Sequence, residues 1–233
     1  MVMAAGHGTR MRPLTDMTCK ALVKVDGKPL IDHMLDRLLA AGICRVVVNV
    51  HSHADKLVSH LHQRKDGLEI VISDERAKLL ETGGGLVKAL PLLGESPFLI
   101  CNIDALWIEF EPVLKGLISA WQPDKMDELF LLAPTRDCLG YHGQGDFHLD
   151  GQGRISFNGP TMRPYVYAGI EIFKPELAYG FECEPFSRTQ IWNPVFARKG
   201  AYGYVMNGYW MHVGDPDARK AAEIVMKQAR SDG

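Results

Sequence analysis

Short apolar segments alternate with amphipathic segments in the first half of the chain, and this alternation limits the folds open to it. Five segments are short and apolar: 1–5, 45–50, 68–73, 98–104 and 129–134. Three segments between them have apolar residues at helical spacing: 28–42, 53–65 and 111–122. Apolar strands separated by amphipathic helices are typical of a parallel sheet covered on both faces. The pattern predicts an α/β fold with a Rossmann-like, doubly wound, mostly parallel sheet, which binds ligands at the carboxyl ends of its strands.

The second half of the 233-residue chain has shorter apolar runs and more turn residues. Segment 145–157 predicts a hairpin that turns at Gly151-Gln152-Gly153. Segment 164–173 predicts another strand, and Asn207-Gly208 predicts a tight turn between two short ones. Helices are predicted over 186–200 and from Asp215, the residue before Pro216. We therefore expect one domain, in which residues 136–233 form a smaller β-rich lobe over the ligand edge of the sheet.

Charge and cysteine usage exclude several classes of partner. The formal net charge of -2 gives no basic field that would attract nucleic acid or anionic lipid. No apolar run approaches the roughly 20 residues that cross a bilayer, and no signal-peptide pattern is visible. The five cysteines are scattered without a Cys-x-x-Cys pair, which favours reduced thiols in the cytoplasm. The pairs His51/His53 and His60/His62 lack the partners of a zinc site and are expected at the surface.

A glycine- and arginine-containing loop, residues 6–13, follows the first apolar segment. A dinucleotide-binding loop would need a third glycine where Met11 stands, and Pro13 interrupts the helix that should follow. The Gly-Lys-Ser/Thr of a Walker-type loop is absent from the chain. The remaining interpretation is a loop whose backbone N–H groups and arginines wrap a nucleoside triphosphate.

Residues 4–15, followed by Lys20, resemble the signature of the sugar-phosphate nucleotidyltransferases. Segments 79–86, 101–107 and 208–218 resemble the branch that includes the N-acetylmuramate-1-phosphate uridylyltransferases of peptidoglycan recycling. The resemblance implies a reaction in which a nucleoside triphosphate, UTP in this branch, and a sugar-1-phosphate give a nucleoside-diphosphate sugar and pyrophosphate. It also leaves open a guanylyl- or thymidylyltransferase acting on mannose- or glucose-1-phosphate, and a non-catalytic homologue that binds nucleotide sugars.

The resemblance also implies roles for individual residues. Arg10, Lys20 and Asp104 would be catalytic, with Asp104 holding Mg²⁺ or Mn²⁺. Residues 1–135 would bind the nucleotide, and residues 136–233, which include the C-terminal helix, would bind the sugar phosphate. The implied substrate-binding residues fall into three groups. Gly6, Gly8 and Thr9 would face the triphosphate, Ala4, Ala5, Glu81, Gly83, Gly84 and Gly85 would contact the nucleobase, and Asn102, Gly169 and Glu171 would lie near the sugar.

Three positions depart from the family pattern. Cys19 stands where the signature has proline, and His212 stands where relatives often have an aspartate as second metal ligand. Asp215 could supply that carboxylate or could cap the last helix.

Other residues have two interpretations each. Arg12 could bind phosphate or pair on the surface, and Trp107 and Trp192 could contact the sugar or belong to the core. The triple glycine 83–85 could approach the nucleobase or form a flexible helix start. The nucleobase, the sugar and the oligomeric state stay open at this point.

Overall fold

The computed structural model describes residues 1–157, 159 and 162–231. Fourteen strands are formed by these residues: β1 Val2–Met3, β2 Lys24–Val25, β3 Lys28–Pro29, β4 Arg45–Val50, β5 Glu69–Asp74, β6 Phe98–Asn102, β7 Ala105–Glu109, β8 Glu128–Pro134, β9 Cys138–Leu139, β10 His148–Leu149, β11 Ile155–Ser156, β12 Tyr165–Phe173, β13 Ala201–Val205 and β14 Gly208–His212. Six α-helices accompany them: α1 Leu30–Ala40, α2 Ala54–His62, α3 Glu81–Leu93, α4 Val113–Ala120, α5 Thr189–Ala197 and α6 Pro216–Ser231.

Seven strands form the central sheet in the order β13-β8-β12-β6-β1-β4-β5. Strands β6, β1, β4 and β5 pair in parallel, and so do β13 and β8, whereas β12 is antiparallel to both of its neighbours. The predicted mostly parallel α/β sheet is confirmed. The parallel strands end at one edge, and this edge carries the cavity described below.

Helices cover both faces of the sheet, which confirms the doubly wound arrangement. Leu35 of α1, Leu57 of α2 and Leu117 of α4 pack with Val48 on one face. Helix α3 packs against the other face through Leu86 and Ala89, and α5 adds Ile191 there. No helix in the described part of the chain is both long and apolar enough to cross a membrane.

The second half contributes to the central sheet as well as to smaller sheets. The predicted hairpin is present as β10 and β11, and β7, β14 and β9 form a three-stranded sheet. Strands β12 and β13 lie in the central sheet, so the expectation that everything after residue 135 covers the ligand edge is wrong. The two strands around Asn207-Gly208 also belong to different sheets, because β13 pairs with β8 and β14 with β7.

Candidate active site

A cavity of about 540 Å³ opens at the carboxyl ends of β1, β4 and β6. It brings together ten of the residues named from the sequence: Ala4, Ala5, Gly6, Gly8, Thr9, Arg10, Lys20, Glu81, Asn102 and Asp104. Seven residues without a predicted role complete its lining: Met3, Asn49, Leu79, Thr82, Ile103, Ser187 and Gly214. The cavity is therefore where a doubly wound sheet is expected to bind a ligand.

The opening loop is held in shape by a left-handed glycine and a buried methionine. Gly8 has φ +62°, and a Cβ atom there would lie 3.0 Å from Lys20 Cβ. Its carbonyl oxygen accepts hydrogen bonds from Met11 N at 2.9 Å and Thr15 Oγ1 at 2.9 Å. The Met11 side chain is fully buried with Val213, which ties the loop to the segment after β14. The loop and Lys20 thus form one packed unit.

Lys20, Asp104 and His212 meet through a single carboxylate oxygen. Lys20 Nζ donates to Asp104 Oδ2 at 2.8 Å, and His212 Nε2 lies 3.3 Å from the same oxygen. Burial opposes ionisation of Asp104, but the hydrogen bond from His212 and the charge of Lys20 outweigh it and hold the pKa of this carboxyl well below its ordinary value. Because the carboxylate only accepts, His212 Nε2 is the donor. His212 therefore lies beside Asp104, the candidate metal ligand.

The two arginines of the opening loop differ in their surroundings. Arg10 lines the cavity, and its charge helps to lower the pKa of Asp215 after the larger effect of the hydrogen bond from Ala218 N. Arg12 lies outside the cavity lining and pairs with Asp16 at 3.6 Å, with both side chains more than half exposed. The surface interpretation of Arg12 matches this contact, whereas Arg10 is placed to meet an anion.

The residues present fit a divalent cation at Asp104. Its Oδ1 has no hydrogen-bond partner among the described residues. Carboxylate oxygens are among the ligands that Mg²⁺ prefers. Asp215 caps α6 instead, since its Oδ1 accepts from Ala218 N at 2.8 Å and from Asp217 N at 3.0 Å. The described residues contain no cluster of three or more histidine, cysteine or acidic side chains that could hold a metal alone. Any cation here would complete its coordination from bound substrate or water.

The triple glycine packs against protein and does not line the cavity. Added Cβ atoms would lie 2.2 Å from the Phe186 ring at Gly83, 1.9 Å from the Glu184 carbonyl oxygen at Gly84, and 2.7 Å from Glu75 Oε1 at Gly85. Close approach of neighbouring segments therefore explains these glycines, and they lie in the first part of α3, which matches the alternative interpretation of a helix start. Glu81, which starts this helix, has φ +57° and does line the cavity.

The cavity lining does not include Gly169 and Glu171, the two residues of β12 that were predicted to lie near the sugar. A Cβ atom added to Gly169 would lie 3.3 Å from Asn102 Cβ, so Gly169 packs closely against Asn102. Glu171 is fully buried and pairs with Arg188, with 3.0 Å between Oε1 and Nε. The Glu171 carboxylate is therefore not accessible to a sugar in this structure, because α5 and the Arg188 side chain cover it.

A second buried carboxylate, that of Glu128, accompanies this ion pair. Neither oxygen of Glu128 has a hydrogen-bond partner among the described residues. Burial and the neighbouring charge of Glu171 raise the pKa of Glu128 well above its ordinary value. The two tryptophans with alternative interpretations both lie in packed regions. Trp107 is buried, and Trp192 packs against Arg188, with 5.2 Å between the ring centroid and the guanidinium carbon Cζ.

Comparison with known proteins places the chain in a class. Residues 1–204 match the MobA-like NTP transferase domain, and the chain belongs to this family of nucleotidyltransferases. Among its relatives, the N-acetylmuramate alpha-1-phosphate uridylyltransferase of Caulobacter vibrioides is 48% identical over 98% of this chain and 97% of its own. The enzyme of the same name from Neisseria meningitidis serogroup B is 34% identical, over 97% and 96%. The HddC protein of Yersinia pseudotuberculosis, solved with GMP-PN, has the same fold: TM-score 0.79, 20% identity, with 97% of each chain covered.

Proposed function

We propose that this chain transfers the uridylyl group of UTP to N-acetylmuramate α-1-phosphate, giving UDP-N-acetylmuramate and pyrophosphate. The 48% identity to a uridylyltransferase of that name, over 98% of the chain, supports the substrates. The observation that carries the chemistry is the 2.8 Å contact between Lys20 and Asp104 in the cavity that the glycine loop also lines. This arrangement combines a fixed cation, a carboxylate and a backbone loop with two glycines, which suit the alignment of phosphate groups in nucleotidyl transfer.

In this proposal the sugar-phosphate oxygen attacks the α-phosphorus, and the bond to the pyrophosphate oxygen breaks. The protein provides no nucleophile, so its task is to align two polyanions and offset their repulsion. Gly6 and Gly8 let the backbone approach the triphosphate, and Arg10 binds phosphate oxygens with its planar guanidinium. The Lys20 ammonium has three N–H donors, one of which serves Asp104, so the others are available to phosphate. A Mg²⁺ ion held by Asp104, when bound, would neutralise charge on the reacting phosphate groups.

The remaining sequence-based assignments are part of the same proposal. The chain acts as a single nucleotidyltransferase domain over residues 1–233, in which 1–135 bind the nucleotide and 136–233 the sugar phosphate. All five cysteines are free, which supports a reducing, cytoplasmic location. The product would serve nucleotide-sugar biosynthesis in cell-wall recycling, and neither nucleic acid nor membrane takes part.

Pyrophosphate release from four nucleoside triphosphates against a panel of sugar-1-phosphates tests the proposal. We expect the highest kcat/KM for UTP with N-acetylmuramate-1-phosphate, loss of activity with EDTA and recovery with Mg²⁺. The Asp104→Asn variant, purified in parallel, controls for contaminating enzymes. Preference for GTP or dTTP with mannose- or glucose-1-phosphate would replace the substrate assignment. Binding of a nucleotide sugar without turnover of any pair would replace the enzyme with a binding protein.

A further inference from the structure

Two polar side chains are buried beside the cavity, one of them within an apolar strand. Asn49 interrupts the valines of β4 and is 1% exposed, while Glu75 follows β5 and is fully buried. A buried amide or carboxylate is costly unless its donors and acceptors are paired. Neither residue belongs to the phosphate-facing loop, so their burial requires a separate explanation.

Three hydrogen bonds connect these two side chains with each other, with Ala4 after β1 and with Leu80 before α3. Ala4 N donates to Asn49 Oδ1 at 2.6 Å, and Asn49 Nδ2 donates to Glu75 Oε1 at 2.7 Å. Leu80 N, at the start of α3, donates to Glu75 Oε2 at 3.2 Å. Because a backbone N–H only donates, these bonds fix the orientation of the Asn49 amide, and both Glu75 oxygens act as acceptors. The positive N-terminal end of α3 adds to the stabilisation of the carboxylate.

The bridge connects the end of β1 and strand β4 with the start of α3. Ala4 and Asn49 line the cavity, and so does Glu81, the residue after Leu80. Glu81, whose backbone is left-handed at φ +57°, is the next residue along the chain after the anchored Leu80. Gly85 leaves the space that the bridge needs, since a methyl group there would lie 2.7 Å from Glu75 Oε1 and 3.1 Å from Asn49 Nδ2.

We propose that Asn49 and Glu75 are a positioning pair that sets the nucleoside end of the cavity, so that affinity for the nucleoside triphosphate depends on their bridge. The inference rests on the proposed function, because it assumes that a nucleotide occupies this cavity. The contacts of the opening loop with Thr15, Lys20 and Met11 do not involve the pair. The bridge therefore acts on the nucleoside side and leaves the phosphate-binding loop and the sugar phosphate unaffected.

The hydrogen-bond pattern allows a test by exchange of the two functional groups. In Glu75→Gln an NH₂ group faces a donor, either Asn49 Nδ2 or Leu80 N; in Asn49→Asp two carboxylate oxygens face each other. The double variant N49D/E75Q restores every bond. Its carboxylate at position 49 accepts from Ala4 N and from the side-chain amide at position 75, whose carbonyl oxygen accepts from Leu80 N. Glu69→Gln is the control, since Glu69 lies at the opposite end of β5 and pairs with Arg45 at 3.1 Å.

We expect each single variant to weaken UTP binding in calorimetry by about tenfold or more, the consequence of one unpaired buried group. The KM for N-acetylmuramate-1-phosphate should stay within about twofold of the parent value, because the proposed function assigns the sugar phosphate to residues 136–233, which are not part of the bridge. The double variant should recover UTP affinity to within about threefold of the parent. Glu69→Gln should change neither quantity.

A purely structural role predicts something different and would overturn the inference. In that case the single variants would lose affinity for UTP and for the sugar phosphate together, or the folded double variant would not recover UTP affinity. If the single variants do not fold, Gly85→Ala replaces them, since its methyl group displaces the Glu75 carboxylate without removing a polar group. Unchanged UTP affinity in folded Gly85→Ala would then overturn the inference. Failure of the parent protein to bind any nucleoside triphosphate would overturn the proposed function itself.

Discussion

Alanine substitutions at Gly6 and Gly8 should have different effects, because the structure gives the two glycines different reasons to be glycine. At Gly8 the backbone is left-handed, with φ +62°, which costs an alanine about 1–2 kcal/mol. The added Cβ would also lie 3.0 Å from Lys20 Cβ and 3.1 Å from Thr15 Cγ2, so these neighbours must shift. At Gly6 the backbone is ordinary and an added Cβ meets nothing within 4 Å.

Gly8→Ala should therefore lower the melting temperature, at about 2–4 °C per kcal/mol for a chain of this size. It should also lower kcat by about tenfold, because a shift of a few tenths of an ångström at Lys20 misplaces its ammonium. Gly6→Ala should leave the melting temperature unchanged. Its methyl group would project into the cavity and raise the KM for UTP by about tenfold or more, because close backbone approach is lost.

Thermal unfolding and steady-state pyrophosphate release measure the two effects separately. Gly151→Ala is the control, since Gly151 has ordinary backbone and open space and lies outside the cavity lining. A Gly8→Ala protein with parental melting temperature and kcat would refute the argument from backbone and packing. A Gly6→Ala protein with parental KM for UTP would show that the nucleotide does not approach the backbone there.

Four further outcomes follow from the site and its surroundings. Asp104→Asn should lower kcat, because the loss of a metal ligand removes several kcal/mol of transition-state stabilisation, and it should leave the circular dichroism spectrum unchanged. Near-parental rates with Mg²⁺ would contradict a metal-binding role. Arg10→Ala should mainly raise the KM for UTP, whereas Lys20→Ala should mainly lower kcat; equal and small effects would exclude the triphosphate cradle. His212→Asp should raise the Mg²⁺-supported rate relative to the Mn²⁺-supported one if this position contacts the metal; an unchanged metal preference would exclude such contact. Glu128→Gln should stabilise the protein progressively above about pH 4.5, by up to about 1.4 kcal/mol per pH unit, and not below it, as measured by urea unfolding.

The sign of the Glu128 effect follows from its raised pKa. The folded protein retains a proton on Glu128 at pH values where the unfolded chain has released it. Folding stability therefore falls as pH rises from the unfolded-state pKa towards the folded-state pKa, and glutamine removes this loss. A pH-independent difference between the two proteins would contradict the assignment of a protonated Glu128.

The sequence predicted the parts of the fold that depend on local pattern. Apolar runs such as 45–50 gave strands, amphipathic spacing gave α1, α2 and α4, and residues typical of helix ends gave α5 and α6, because these signals lie within each segment. Helix α3 was anticipated only as an alternative interpretation of the triple glycine, since three glycines and Pro91 lower its helical propensity and Phe186, against which it packs, lies far along the chain. The place of β12 between β6 and β8 is likewise set by pairing that no single segment contains.

The site was predicted best where a motif specifies local backbone. The opening loop, Lys20 and Asp104 meet in one cavity because a glycine-rich turn and the end of an apolar strand define their places. The burial of Glu171 could not be predicted from the sequence around it, because it depends on Arg188, which lies elsewhere in the chain. Asn49 carried a usable signal, since a polar residue within an apolar strand requires a buried partner.

The antiparallel position of β12 has a consequence during synthesis of the chain. Strands β1, β4, β5 and β6 are complete once residue 102 has been made, but the second edge of β6 is paired only when Tyr165–Phe173 emerges. Until then Phe98–Asn102 presents an apolar edge with unpaired backbone groups, which is a template for contact between nascent chains. Substitutions that delay docking of β12, such as at its left-handed Gly169, should therefore reduce the yield of folded protein in cells more than they reduce the activity of the molecules that do fold.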